Sequence, residues 1–154
     1  MKNTIQSYLA DRLVLRSAEL IKAIEALPED RQNWKASDES RTGTDMLAEC
    51  VLNNGVAEQV VSTHAWPADY SMDSYNQETK SLVTLPLGEL TSKLHAATSA
   101  LAHTIENTPD AALDVVVTTP FGELTVTDIM TYAFWNMGYH EGQINYIATL
   151  SKVG

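Results

Sequence analysis

An all-α fold, arranged as a helical bundle, is predicted by three features of the sequence. Four long segments repeat apolar residues in steps of three and four, the spacing that places them on one face of a helix. Two of these segments open with a Thr-x-x-Asp signal, at Thr42–Asp45 and Thr125–Asp128, in which the threonine hydroxyl can cap a free backbone N–H. Pro28, Pro67 and Pro109 lie where such segments stop, because proline cannot continue a helix.

The first predicted helix covers Thr4–Leu27 and ends at Pro28. Its apolar stripe consists of Ile5, Leu9, Leu13, Leu20, Ile24 and Leu27. The polar segment that follows has no period and is predicted as a loop, in which we expect Trp34 to pack across the bundle end. The second predicted helix runs from Thr42 to about His64 and stops before Trp66.

A long connection follows at residues 65–86, and connections of this length are uncommon unless they are functional or hold local structure. Within it, residues 68–82 can supply a short helix. Tyr70 and Tyr75 in this stretch favour ordinary packing, with a place at the mouth of a pocket as the alternative.

The third predicted helix covers Leu87 to about Asn107. Leu113–Thr119 is rich in valine and threonine and is predicted to form one extended strand without an evident partner. The turn at 120–122 then leads into the fourth helix, which is predicted to start at Thr125 and to run for roughly 25 residues.

Composition limits the classes of function. The chain has 154 residues, 44% of them apolar, which predicts a single globular domain over residues 1–154. A formal net charge of −10, from 10 Lys and Arg against 20 Asp and Glu, disfavours binding to nucleic acid or to an anionic membrane surface. With a single cysteine, Cys50, and no apolar leader or membrane span, the expectation is a cytoplasmic protein with Cys50 buried and inert.

Polar residues interrupt the apolar stripes of two predicted helices. Asn136 and His140 lie one turn apart on the stripe of the fourth helix, and Glu49 and Asn53 do the same on the second. Burying such groups without partners costs roughly 1–3 kcal/mol each. They should therefore bind a metal ion, bind a ligand or form hydrogen bonds to one another. An alternative from the residues alone leaves Glu49 at a solvent-facing margin.

The fourth helix carries a family resemblance. His140-Glu-Gly-Gln-Ile144, introduced by Thr119-Pro-Phe-Gly122, resembles the last helix of the DinB/YfiT-like metalloenzymes. That resemblance implies a four-helix bundle of up-down-down-up type with a long connection between its second and third helices. It also implies a metal site with one ligand on the second helix and two, one turn apart, on the fourth. His140 matches the last of these positions, while Asn136 and Glu49 stand where the other two ligands are usually histidines.

The resemblance implies a metal site of Glu49, Asn136 and His140 that binds zinc or nickel, with Asn136 the weakest partner. It further implies a homodimer and thiol-dependent chemistry, either S-transfer or isomerisation, in which the metal stabilises the thiolate of a small thiol. The alternative is a non-catalytic homodimer or small-molecule carrier. In that case the metal site has degenerated into a hydrogen-bonded cluster of Glu49, Asn53, Asn136 and His140.

Overall fold

The computed structural model describes residues 4–150, and most of them are helical. Four long helices form the bundle, and two shorter ones lie in the connections. They are α1 (Ile5–Glu25), α2 (Glu29–Gln32), α3 (Gly43–Thr63), α4 (Met72–Leu82), α5 (Leu87–Glu106) and α6 (Val126–Leu150). The all-α prediction is confirmed, and the four long helices match their predicted ranges to within two residues at each end. The first three and the last four residues of the predicted domain 1–154 lie outside the described residues.

The predicted Thr-x-x-Asp signals start both helices that carry the polar residues. At α3, Thr42 Oγ1 accepts from the backbone N–H of Asp45 at 3.0 Å, and the Asp45 carboxylate accepts from the N–H of Thr42 at 2.9 Å. Thr125 and Asp128 exchange the same two bonds at the start of α6. These reciprocal caps satisfy backbone N–H groups that have no partner inside the helix. They fix where each helix starts, and therefore the positions of Glu49 and His140 along it.

The connections hold more structure than the polar sequence suggests. The short helix expected within residues 68–82 is α4, capped by Ser71. The single turn of α2 lies in the segment that was predicted as a loop. Four residues are too few to display a helical period, which is why the pattern did not reveal it.

The prediction of a lone strand at Leu113–Thr119 is wrong. Strand β1 (Val116–Thr119) pairs antiparallel with β2 (Gly122–Thr125), and Thr119 faces Gly122 across a two-residue turn. Gly122 has φ of 110°, a conformation that glycine adopts without steric cost. The second strand has four residues and no clear alternation, so its sequence shows no period of two.

The order of the four long helices follows from their contacts. Helices α5 and α6 each pack against both α1 and α3, so α1 and α3 are diagonal in the bundle. Along α3 and α5, Asn54 bonds to Thr98 and, further on, Glu58 bonds to Thr104, so these two helices are parallel.

Helices α3 and α6 are antiparallel, because the early Glu49 meets the late His140 whereas the later Asn53 meets the earlier Asn136. The start of α1 meets the end of α5, where Gln6 donates to the carbonyl of Thr108, so that pair is antiparallel as well. The four long helices therefore run up, down, down and up in chain order, as predicted.

The core contains most of the predicted α1 stripe, including the fully buried Leu13 and Leu20, whereas Ile5 at its start is exposed. Leu94 and Leu101 of α5 and Met137 of α6, which was not predicted as a core residue, are also fully buried. Among residues 4–150, no helix has both the length and the apolar content needed to cross a bilayer.

Two glycines of α3 should respond in opposite ways to alanine. A Cβ at Gly43 would lie 3.0 Å from Ile24 Cδ1 and 3.1 Å from the Gln32 carbonyl oxygen, whereas a Cβ at Gly55 would meet nothing within 4 Å. We expect Gly43→Ala to lower the free energy of unfolding by about 1–2 kcal/mol through overpacking. Gly55→Ala should raise it by about 0.5–1 kcal/mol through helix propensity. Urea unfolding of both variants measures this, and equal signs would contradict the packing at the start of α3.

Candidate functional site

The antiparallel pairing of α3 and α6 brings together the three residues singled out in the sequence. Glu49 Oε1 lies 3.0 Å from His140 Nε2 and accepts from Asn136 Nδ2 at 2.9 Å. His140 and Asn136 are each 2% exposed, and the Glu49 side chain is 16% exposed. Glu49 therefore does not point away into solvent: its carboxylate faces the fourth helix.

His140 is held at both ring nitrogens. Nδ1 lies 2.6 Å from Oε1 of Gln143, one turn further along α6, and Nε2 faces the carboxylate of Glu49. A ring held on both sides has a defined orientation and a fixed position in the cluster. Gln143 stands in the motif that carried the family resemblance, but it was not predicted as a site residue.

Asn136 links the carboxylate to the rest of α3. Its Oδ1 accepts from Asn53 Nδ2 and from Cys50 Sγ, both at 3.4 Å. Glu49, Asn53, Asn136 and His140 thus form one hydrogen-bonded group, called the polar cluster below. Burial raises the pKa of Cys50 well above its usual range, so this thiol is a weak donor in the cluster and not a nucleophile.

Arg41 is the residue that the sequence analysis missed. It precedes α3 and donates through Nη1 to Glu49 Oε2 and through Nη2 to the carbonyl of Asp45, the latter at 3.1 Å. The hydroxyl of Tyr75 lies 3.5 Å from the same Glu49 oxygen. Arg41 lies eight residues before Glu49 in a segment without period, so only its charge could have suggested a carboxylate partner.

These donors set the ionisation of Glu49. Burial by itself would raise the pKa of this carboxyl, but hydrogen bonds from His140, Asn136 and Arg41 outweigh it and lower the pKa to about 2. Glu49 is therefore a carboxylate at neutral pH. Burial by itself would lower the pKa of the Arg41 guanidinium, but the hydrogen bond to Glu49 and the charge of Glu49 outweigh it and raise this pKa.

The donor set of the polar cluster does not match a three-ligand metal site. Among residues 4–150, no three His, Cys, Asp or Glu side chains converge in a way that could hold a metal ion. Glu49 and His140 supply two suitable donors, whereas Asn136 presents its amide nitrogen to the carboxylate. The guanidinium of Arg41 already bonds to Glu49 Oε2, so this oxygen is not free to coordinate a metal ion. As arranged, these side chains fit a hydrogen-bonded cluster better than a metal centre.

An aromatic cavity opens beside Glu49. It has a volume of 590 Å³ and lies between α3, α4, the segment after α3, the β1–β2 turn and the start of α6. Its lining residues are Glu49, Asn53, Val56, Ala57, Trp66, Tyr70, Met72, Tyr75, Phe121, Leu124, Ile129 and Tyr132. Tyr70 and Tyr75 therefore line a pocket. The sequence had favoured ordinary packing for both residues, with a place at the mouth of a pocket as the alternative. Within residues 4–150, Glu49 is the single charged side chain in the lining.

Three other aromatic residues, Tyr139, Tyr146 and Trp34, do not line this cavity. Tyr139 packs its ring edge against the His140 ring at 5.4 Å and is half exposed, while Tyr146 is exposed. Trp34 packs against the core under the guanidinium of Arg31, as expected for a packing residue.

The chain has the DinB/YfiT-type four-helix bundle that the sequence resembled. Two solved structures have a similar fold. YfiT from Bacillus subtilis, described as a probable metal-dependent hydrolase with an unusual four-helix bundle topology, superposes with a TM-score of 0.79 at 14% identity. That match covers 99% of this chain and 90% of YfiT.

The mycothiol-dependent maleylpyruvate isomerase superposes with a TM-score of 0.74 at 13% identity, covering 92% of this chain. The chain spans 61% of the length of that isomerase. No protein-family model matches the sequence, and no curated protein matches it. The likeness is therefore one of fold.

Proposed function

We propose that this protein binds a small organic molecule in the aromatic cavity, with Glu49 as the charged group that orients it. The observation that carries the proposal is the composition of the cavity wall. A single carboxylate, held by Arg41, Asn136 and His140, faces a concave surface that is otherwise mostly apolar and aromatic. Sites for small molecules combine such a surface with a few placed polar groups.

The neutral probe tert-butylbenzene tests whether the cavity takes a ligand. With Trp34 and Trp135 replaced by phenylalanine, Trp66 in the cavity wall is the remaining tryptophan and reports on binding through its fluorescence. We expect a saturable change, because the cavity can enclose a molecule of this size. Val56→Phe, which fills the cavity from α3, should weaken binding by about tenfold or more.

Val14→Phe is the matched control, since Val14 is 43% exposed on α1 and does not line the cavity. It should leave the affinity unchanged. A fluorescence change that never saturates, or one that Val56→Phe does not weaken, would contradict the proposal.

A divalent-metal-dependent enzyme, of the thiol S-transferase or isomerase type, is the second candidate. One observation favours it: Gln143 holds Nδ1 of His140 so that Nε2 points at Glu49, as outer partners orient the imidazoles of metal sites. The description of YfiT, which has a similar fold, as a probable metal-dependent hydrolase also supports this second candidate. Zinc and nickel are the ions that an imidazole and a carboxylate suit.

Calorimetric titration of tag-free protein with zinc and with nickel decides between the candidates. Because the donor set is short by one ligand and Arg41 occupies Glu49 Oε2, we expect no stoichiometric binding at micromolar metal. His95→Ala is a control for binding at exposed imidazoles. Stoichiometric binding that His140→Ala abolishes and His95→Ala retains would establish the metal candidate instead.

Homodimerisation, which the resemblance implies, is part of the proposal. The outer face of α6 exposes an uncharged aromatic row of Tyr132, Trp135 and Tyr139, with ring centroids 5.6 and 5.3 Å apart. In a chain of charge −10, this is a face on which a second copy meets little repulsion. Trp135→Glu should convert a dimer to monomer in sedimentation, and a monomeric wild type would contradict the proposal.

A further inference from the structure

The walls of the aromatic cavity are rings set at steep angles to one another. Trp66 and Tyr70 have ring centroids 5.3 Å apart at 89°, Trp66 and Phe121 6.0 Å apart at 81°, and Tyr70 and Tyr75 6.3 Å apart at 63°. Rings in such edge-to-face contacts do not stack into one block, and all four of these rings line the cavity. An aromatic ring carries negative charge density on its faces, and several such faces around one space favour a cation.

The charges around the cavity have the same sign. Glu49 is its charged lining residue, and the groove that shares Val56 and Tyr70 with it is lined by Asp69 and Glu78. In the part of the chain that the structure describes, no lysine or arginine lines either space. The guanidinium of Arg41 bonds to Glu49 Oε2 and to a backbone carbonyl, and it is not among the lining groups of the cavity.

The negative charge near the cavity also affects the pKa values of Tyr70 and Tyr75. Burial raises the pKa of Tyr75 most, the charge of Glu49 raises it further, and the charge of Arg41 lowers it by less than Glu49 raises it. Burial likewise raises the pKa of Tyr70 to about 12, with contributions from Tyr75, Glu78 and Glu49. A charge that disfavours phenolate in the cavity disfavours any anionic ligand there and favours a cationic one.

We infer that the ligand of this cavity is an organic ammonium ion with apolar substituents, held by the faces of Trp66, Tyr70 and Tyr75 and by the carboxylate of Glu49. The inference rests on the proposed function and names its ligand class. The Tyr75 hydroxyl contact to Glu49 Oε2, at 3.5 Å, is the weakest at that carboxylate and the one that a bound cation can replace.

Three probes of similar size test the charge preference in the Trp66-only background: phenyltrimethylammonium, its neutral isostere tert-butylbenzene, and benzenesulfonate. We expect the cation to bind about tenfold or more tightly than the neutral probe, and the anion to bind most weakly. Glu49→Gln and Tyr70→Leu should each reduce the cation's advantage while retaining binding of tert-butylbenzene. Glu58→Gln, which removes a charge from α3 outside the cavity, should preserve the advantage.

The outcomes separate the two proposals. If tert-butylbenzene binds and the cation gains nothing, the ammonium inference is overturned and the small-molecule site remains. If the cation's advantage persists in Glu49→Gln and Tyr70→Leu, or survives Val56→Phe, the cation binds elsewhere on an acidic surface and the inference is again overturned. If neither probe binds in the cavity, the proposed function fails and the inference with it.

Discussion

Replacing Glu49 by alanine should lower the free energy of unfolding by about 3 kcal/mol, the range for removing one partner of a buried ion pair. The substitution leaves the guanidinium of Arg41, the amide of Asn136 and the ring of His140 without their common acceptor. Unsatisfied donors in a partly buried cluster keep their desolvation cost and lose its compensation. Reversible urea unfolding measures the change, and a melting temperature lower by roughly 6–12 °C should accompany it.

Glu58→Ala is the matched control on the same helix. The Glu58 carboxylate is half buried as well, but it accepts one bond, from Thr104 at 2.9 Å, so its loss should cost about 1 kcal/mol. A double-mutant cycle with His140→Ala separates the pair from its surroundings, and the coupling should be at least about 1 kcal/mol. Equal effects of Glu49→Ala and Glu58→Ala would mean that the polar cluster does not form.

The stability that Glu49 contributes should disappear in acid. Its pKa is about 2 in the folded chain, against an ordinary value of 4.5, so the unfolded state takes up the proton first as the pH falls. The contribution is thus fully present above about pH 4.5 and is lost as the pH falls through 2. A shift of this size corresponds to at most about 3 kcal/mol of unfolding free energy.

The measurement is the free energy of unfolding of wild type and Glu49→Gln between pH 6 and pH 2. Glutamine does not titrate, so the difference between the two proteins should be largest at pH 6 and should shrink in acid. Asp128→Asn serves as a comparison, because hydrogen bonds from Thr125 lower the pKa of Asp128 at an exposed helix start. A difference between wild type and Glu49→Gln that stays constant over this range would contradict the ionised, hydrogen-bonded state of Glu49.

Arg41 sets the character of the site. Its bond to Glu49 favours the charged carboxylate together with the bonds from His140 and Asn136, and Glu49 also lines the cavity. A bundle of this fold with three histidines would present three neutral donors to a cation, whereas this chain presents a paired carboxylate and one imidazole. The same scaffold can therefore hold an organic ligand through the charge of Glu49 and the rings around it.

The helices, their ends and the polar pairs on their faces could be predicted from the amino-acid sequence. Apolar spacing, threonine caps and prolines act over a few neighbouring residues, so they can be recognised from the sequence alone. The facing of Glu49 toward His140 was predicted only with the help of the family resemblance, because the residues alone left a solvent-facing margin as an alternative for Glu49. The family resemblance supplied the order of the helices.

Only the tertiary structure decided what those residues contact. Arg41 reaches Glu49 from a segment without period, and the strand after Gly122 exists because it pairs with β1. The cavity joins Glu49 on α3, Tyr75 on α4 and Phe121 in the β-turn, residues that are far apart in sequence. Such contacts depend on how separate elements pack, a long-range property that no local pattern encodes, and they place the carboxylate of Glu49 beside aromatic rings.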